Sequence, residues 1–232
     1  MNHSLITFAV KAESRPFLWW LLKSEVRRVL AALIGGPSLS EREAPHKINV
    51  VLTGIGPGNA ERAFRQVLTG PPPTRTLTCG FAGGLNPSFP LGTVVFSADE
   101  DFDLTPALAT AGARPARFHH ADRVIITTAE KCTLRQTTGA DAVDMESAII
   151  RAICRERGIP SATVRIISDA ADEDLPLDFN RLMGPNARLR YDRLVVAILK
   201  RPRRIPDLIR MGFRARRAAR ELASVLSCVI RP

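Results

Sequence analysis

Two apolar runs that each close on an acid, separated by one helix-length segment, constrain this chain more than any other feature. They are Ala142-Val-Asp-Met-Glu146-Ser-Ala148 and Arg165-Ile-Ile-Ser-Asp169-Ala-Ala-Asp172. Each reads as a buried strand. The segment Glu146–Arg157 between them reads as a helix, closed by Gly158 and Pro160. A strand–helix–strand unit predicts neighbouring parallel strands, with Glu146 and Asp169 at one carboxyl edge. That edge is where open α/β sheets bind ligands. Paired carboxylates there suit chemistry on a sugar or a base, where one acid holds hydroxyls and another moves a proton.

The rest of the chain repeats the alternation. Leu5–Val10, Ile48–Thr53, Thr76–Cys79, Thr93–Ser97 and Val124–Thr128 read as strands. Ser14 and Pro16 signal the start of a helix that runs to about Leu33 and stops at Gly35-Gly36, and a second helix covers about Ala60 to Leu68. Such alternation predicts a mostly parallel or mixed sheet covered on both faces, an αβα sandwich. The turn Gly54-Ile-Gly-Pro-Gly58-Asn59 resembles a phosphate cradle, but lacks both GxGxxG spacing and the Lys-Ser/Thr of a P-loop. Gly80, Gly83 and Gly84 follow a strand and would let backbone N–H groups approach a bound group closely. Asp99–Ala121 is the most loop-like part of the body.

Composition narrows the class. A chain of 232 residues, 45% hydrophobic, suits a globular α/β body with one large core. Cys79, Cys132, Cys154 and Cys228 are widely spaced, so they read as reduced thiols of a cytosolic protein, with no disulfide frame, zinc site or other metal expected. The pair His119-His120 reads as a solvated turn. Trp19 and Trp20 read as core packing, with an apolar wall near a pocket or membrane as the sharper alternative. No basic region precedes the first strand, so no secretory leader is expected, and the apolar stretch Phe17–Leu22 is too short to span a bilayer.

The charge of +10 is uneven. From Lys200 to Pro232 there are ten basic and two acidic residues, a net +8, which leaves +2 for residues 1–199. The basic character therefore belongs to a tail, and the body shows no nucleic-acid surface. Within the tail Ile205, Leu208, Ile209, Phe213, Ala219, Leu222, Leu226 and Val229 recur at helical spacing among arginines. An amphipathic basic helix of this kind either packs on the domain with a solvated arginine face or lies on an anionic membrane. The boundaries expected are a body over residues 1–200 and a tail over 201–232.

Three motifs, Cys79-Gly-Phe-Ala-Gly-Gly-Leu-Asn-Pro87, Val143-Asp-Met-Glu-Ser147 and Ile167-Ser-Asp-Ala-Ala-Asp172, stand in order over residues 4–180. Together they resemble the purine nucleoside phosphorylase/uridine phosphorylase superfamily, in particular its 5′-methylthioadenosine/S-adenosylhomocysteine nucleosidase branch. The segment Leu199–Arg210, with its arginine-rich continuation, is similar to the C-terminus of the hopanoid-biosynthesis-associated members, which remove adenine from adenosylhopane.

The resemblance implies a nucleoside phosphorylase-like three-layer αβα sandwich with a mixed central sheet and a C-terminal amphipathic helix. It implies roles by position. Glu146 would hold the ribose 2′- and 3′-hydroxyls, with Met145 against the sugar. Asp169 would protonate purine N7, with Ser168 beside it, and would have to be held neutral until it acts. Glu13 would orient the attacking water. Phe81, Ala82 and Gly83 would line the ribose and water side. The base-contacting segment falls near Thr127–Cys132, where no residue is assigned.

No cofactor is expected. The expected partners are a lipid-linked adenine nucleoside, an anionic membrane surface through the tail, and a second copy of the chain in a homo-oligomer such as a dimer. The location expected is cytoplasmic, peripheral on the inner face of the membrane. Thr78 and Phe81 stand where the phosphorylases keep a phosphate-binding arginine and Ser/Thr, which favours water as the acceptor over phosphate. Phosphorolysis, a methylthioadenosine/S-adenosylhomocysteine nucleosidase, and a non-catalytic nucleoside- or nucleic-acid-binding protein are the alternatives.

Overall fold

The structure, a computed structural model, describes residues 3–33, 47–184 and 202–230. The strands are β1 (His3–Phe8), β2 (Lys47–Leu52), β3 (Arg75–Gly84), β4 (Val94–Ala98), β5 (Arg114–Pro115), β6 (Phe118–His120), β7 (Ala142–Asp144) and β8 (Ser161–Asp169). The helices are α1 (Lys11–Leu33), α2 (Pro57–Val67), α3 (Thr105–Thr110), α4 (Thr128–Thr138), α5 (Ser147–Glu156), α6 (Phe179–Leu182) and α7 (Ile205–Val229). The sheet runs β2-β1-β3-β8-β4-β5, and β7 and β6 join at the end of β3. Strands β2, β1, β3 and β8 are parallel, whereas β4 runs antiparallel to β8 and β7 antiparallel to β3. The mixed, helix-covered sheet expected from the sequence is present.

The period-2 side-chain alternation of a strand sorts the core into two faces. On β1, Ile6 and Phe8 point to one face, where Phe17 of α1 and Ala218, Leu222 and Leu226 of α7 meet them. Leu5 points to the other, against Ala60 and Phe64 of α2 and Ile150 and Ile153 of α5. Helix α7 therefore divides into two. Its C-terminal half is core, with Leu222 and Leu226 fully buried, while Ile205, Ile209 and Phe213 in its first half lie 39%, 55% and 65% exposed.

Several expectations need correction. The acids Glu146 and Asp169 do not end neighbouring parallel strands: β3 lies between β7 and β8, and β7 runs against it. Helix α1 begins at Lys11, ahead of Ser14, so Pro16 lies inside it and Glu13 falls in its first turn. The expected stop at Gly35-Gly36 lies outside the described residues. Strand β3 does not end at Cys79 but continues through Gly84. The run Val124–Thr128 is no strand. It leads into α4, which Thr127 and Glu130 open with a reciprocal capping box. The loop-like stretch 99–121 holds α3, β5 and β6. His119 and His120 lie on β6 rather than in a solvated turn. The two tryptophans part company: Trp20 stacks on Phe17 at 5.5 Å, whereas Trp19 is exposed beneath Lys23. Cys79 and Cys154 are buried free thiols, and Cys132 and Cys228 are exposed ones.

Candidate active site

The carboxyl ends of β1, β3 and β8 converge with the β7–α5 junction on a cavity of about 270 Å³. All eight residues singled out in the sequence line it: Glu13, Phe81, Ala82, Gly83, Met145, Glu146, Ser168 and Asp169. Neither tryptophan does.

Glu13 reaches the cavity floor because it is the third residue of α1. Its Oε2 accepts from the N–H of Val10 at 3.1 Å, which closes the start of the helix, and its Oε1 accepts from the N–H of Phe81 at 2.9 Å. The approach to β3 requires Gly80. A Cβ there would lie 2.8 Å from Glu13 Oε1 and 3.0 Å from Arg165 Nη1, and its φ of +150° also favours glycine. Burial raises the Glu13 pKa, against the opposing pull of Arg165 and three backbone N–H groups.

At the β7–α5 junction two neighbouring acids divide the work. Asp144 caps α5, accepting from the N–H of Ser147 at 2.9 Å and from its hydroxyl at 2.8 Å. Glu146 is thereby free to turn away from its own helix, and its Oε1 accepts from the N–H of Gly56 at 2.8 Å. The glycine-rich turn after β2 thus binds a protein carboxylate. Burial pushes Glu146 up to about 7, despite Arg165 and Gly56, with Asp144 and Glu13 adding to the rise.

Arg165 had no role assigned from the sequence. It is fully buried on β8, with Nε and Nη2 on Asp144 Oδ2 at 3.1 and 2.6 Å, Nη2 on Thr78 Oγ1 at 3.2 Å, and Nη2 3.8 Å from Glu146 Oε2. A guanidinium therefore does reach Thr78, where none was expected. Burial penalises the Asp144 charge, but Arg165 and a 2.8 Å contact from His120 Nδ1 overcome that and hold its carboxyl well below the usual range. Arginine is a residue rarely buried without partners, so its place inside an apolar strand was the signal that could have found it.

Asp169 is the last residue of β8. Its Oδ1 accepts from the Ser168 hydroxyl at 2.9 Å, and its Oδ2 lies 2.7 Å from Lys131 Nζ. Gly83 permits this, since a Cβ there would lie 3.3 Å from Asp169 Oδ2. Asp169 is poorly solvated, with its side chain 14% exposed, and an ammonium is its neighbour. Lys131 belongs to the segment Thr127–Cys132, in which the sequence assigned nothing.

The cavity thus presents a buried carboxyl against a backbone donor (Glu13), one at a glycine turn (Glu146) and one against lysine (Asp169). Such a set can orient water, hold hydroxyls and exchange a proton with a base.

A family model described as the phosphorylase superfamily matches residues 116–200. The 5′-methylthioadenosine/S-adenosylhomocysteine nucleosidases of Bacillus thuringiensis (strain Al Hakam) and Bacillus cereus (strain AH187) are each 23% identical over 215 residues, covering 78% of this chain and 93% of theirs. Among solved structures, futalosine hydrolase of Helicobacter pylori strain 26695 has a TM-score of 0.66 at 15% identity, over 98% of this chain and 97% of that one. The Campylobacter jejuni 5′-methylthioadenosine/S-adenosylhomocysteine nucleosidase has a TM-score of 0.64 at 16% identity, over 97% and 96%. The chain has the fold of these nucleosidases, and the resemblance carried by its motifs, to the phosphorylase superfamily and its methylthioadenosine/S-adenosylhomocysteine nucleosidase branch, is borne out.

Proposed function

We propose that this chain is an N-ribosyl hydrolase that releases adenine from an adenine nucleoside, with adenosylhopane as the substrate and water as the acceptor. The observation that carries the reading is the convergence of Glu13, Glu146 and Asp169, from three separate segments, on one cavity. Cleavage of a ribosyl–adenine bond builds positive charge on the sugar and negative charge on the base. Asp169 meets the second by giving a proton to N7, and ionised Glu146 meets the first while holding the ribose hydroxyls, with Met145 against the sugar. Glu13 orients the water, and Phe81, Ala82 and Gly83 line that side. Acid catalysis of this kind is worth about 10²–10⁴ in rate.

The choice of water over phosphate rests on charge. Arg165 is fully buried, and Glu13, Asp144 and Glu146 all act on it. Arg123, which lines the cavity, pairs with Glu130 at 2.6 Å. Both arginines are engaged by acids, which leaves little attraction for a phosphate dianion. Adenine release from adenosylhopane and from methylthioadenosine, each with and without phosphate, tests this. The expected outcome is release without phosphate and a ribosyl product; a requirement for phosphate, with a 1-phosphoribosyl product, would show the rival phosphorolysis.

A lipid on the 5′ carbon needs an exit. With the base at Asp169 and the ribose at Glu146, the far end of the nucleoside points past Ile55 and Met145. An open groove of about 400 Å³ shares Ile55 and Met145 with the cavity, and its lining includes Pro57, Asn180 and Met183. The second reading, a methylthioadenosine/S-adenosylhomocysteine nucleosidase, is favoured by the curated relatives; preference for methylthioadenosine in the same assay would select it.

The value of about 7 for Glu146 has a consequence in pH. Only the ionised form serves the hydroxyls, so KM should rise as pH falls below about 7, by about tenfold for each unit once the acid form dominates. The raised value also means that the folded chain binds more protons than the unfolded chain between pH 4.5 and about 7, so Glu146 costs stability as pH rises through that window. Glu146→Gln should remove the KM trend together with most activity, and should flatten the pH dependence of thermal unfolding across that range. A Glu146→Gln enzyme with the wild-type KM profile would remove this role.

We also propose that the chain docks on an anionic membrane surface, a reading the exposed first half of α7 supports. Ile205, Ile209 and Phe213 recur at four-residue spacing beside Arg210, Arg216, Arg217 and Arg220, and each well-placed basic residue adds about 1 kcal/mol of attraction to anionic lipid. Among the described residues no helix is long and apolar enough to cross a membrane. Deleting the tail would strip Leu222 and Leu226 from the core, so the test is a double substitution, Ile209→Glu with Phe213→Glu. It should abolish sedimentation with phosphatidylglycerol vesicles and leave methylthioadenosine turnover unchanged; unchanged sedimentation would take membrane docking away from this face.

A further inference from the structure

Lys131 is the one fully buried side chain of α4, on a helix whose other faces are polar or half-buried. A lysine is costly in that place. An ammonium loses its hydration on burial, and the loss is recovered only by an ion partner and a full set of hydrogen bonds. Lys131 has both. Its three donors meet three acceptors: Asp169 Oδ2 at 2.7 Å, Ala170 O at 2.7 Å and Glu173 O at 2.8 Å. A leucine or methionine would fill the volume without that cost, so packing alone does not account for the residue.

The other charges around Asp169 are engaged elsewhere. From α7, Arg214 pairs with Glu173 at 2.6 Å and Arg210 lies 3.8 Å from Asp207, while Arg204, just before the helix, lies 3.7 Å from Asp207. From the loop before α4, Arg123 pairs with Glu130 at 2.6 Å, and from the chain after β8, Asp174 accepts from the N–H of Thr128. Across the cavity Glu13, Asp144 and Glu146 share Arg165. Among the described residues Lys131 is the cation in contact with Asp169.

We propose that Lys131 is a positioning residue for the acid: it fixes the Asp169 carboxyl and the chain that follows it, and it receives the negative charge left on Asp169 when the proton departs. The proposal rests on the reading of Asp169 as the acid. In the step itself the Asp169 O–H proton passes to purine N7, and the C1′–N9 electron pair goes to the base. The water oxygen forms the C1′–O bond and its proton passes to Glu13; Glu13 then releases that proton to solvent, and solvent returns one to Asp169. The carboxylate appears as the C1′–N9 bond breaks, so an ammonium already seated 2.7 Å away favours the transition state over the bound substrate.

The test compares wild type, K131M, K131Q, K131R and D169N by kcat and KM, with adenine release from adenosylhopane and methylthioadenosine as the readout. K131M should lose about tenfold or more in kcat, with KM changed by less than about threefold. K131Q, which keeps a donor but no charge, should lose kcat likewise and carries the comparison if K131M fails to fold. K131R, which keeps the cation, should keep most of the wild-type kcat. Wild-type kcat in both K131M and K131Q, beside an inactive D169N, would overturn the role of Lys131 and leave Asp169 as the acid. Wild-type turnover in D169N would instead overturn the reading of Asp169 on which the proposal rests.

Discussion

Arg165 is the interaction on which the rest of the site depends. It is fully buried on a central strand, and Glu13, Asp144 and Glu146 all act on it. Three carboxyls could not be desolvated together at the end of a sheet without a cation among them. The partnership also explains the local backbone. Gly80 must lack a side chain because the Glu13–Arg165 contact fills the space above it. Asp144 must cap α5 so that Glu146 can face the glycine turn.

The site has two electrostatic halves. Around Glu13 and Glu146 burial dominates, both carboxyls are raised, and Arg165 moderates the rise without abolishing it. Around Asp169 a lysine supplies a formal opposite charge at contact distance. Two carboxyls placed in such different surroundings are suited to different tasks, one holding and orienting, the other exchanging a proton. The joint between the halves is the end of β3. Its strand N–H at Phe81 serves Glu13, and Gly83 makes room for Asp169 two residues later.

The legible parts of the chain were those where pattern and burial agree. The apolar runs of β1, β2, β4 and β8 read correctly to within a few residues, and the amphipathic stripe of α7 appeared as helical spacing. Glu13, Glu146 and Asp169 were found through motifs, and the structure brings them to one cavity. What failed has physical causes. The glycines of β3 look like a turn because glycine usually marks one, yet here they let a central strand pass close to two carboxyls. The Val-Ile-Ile run of residues 124–126 has strand composition, but the Thr127–Glu130 capping box wins the segment for a helix. His120 looked solvated because its partner, Asp144, is distant in sequence. Lys131 left no trace at all, since a buried lysine breaks the apolar periodicity by which core positions are recognised.

The central claim is that water attacks the sugar as the adenine leaves with a proton from Asp169. Turnover of adenosylhopane in ¹⁸O-labelled water, followed by mass spectrometry of the ribosyl product, tests it most directly. One ¹⁸O atom at the anomeric hydroxyl of a freshly formed product, in phosphate-free buffer and absent with D169N, is the result predicted. A product whose anomeric oxygen comes from phosphate, or no adenine at all, would contradict it.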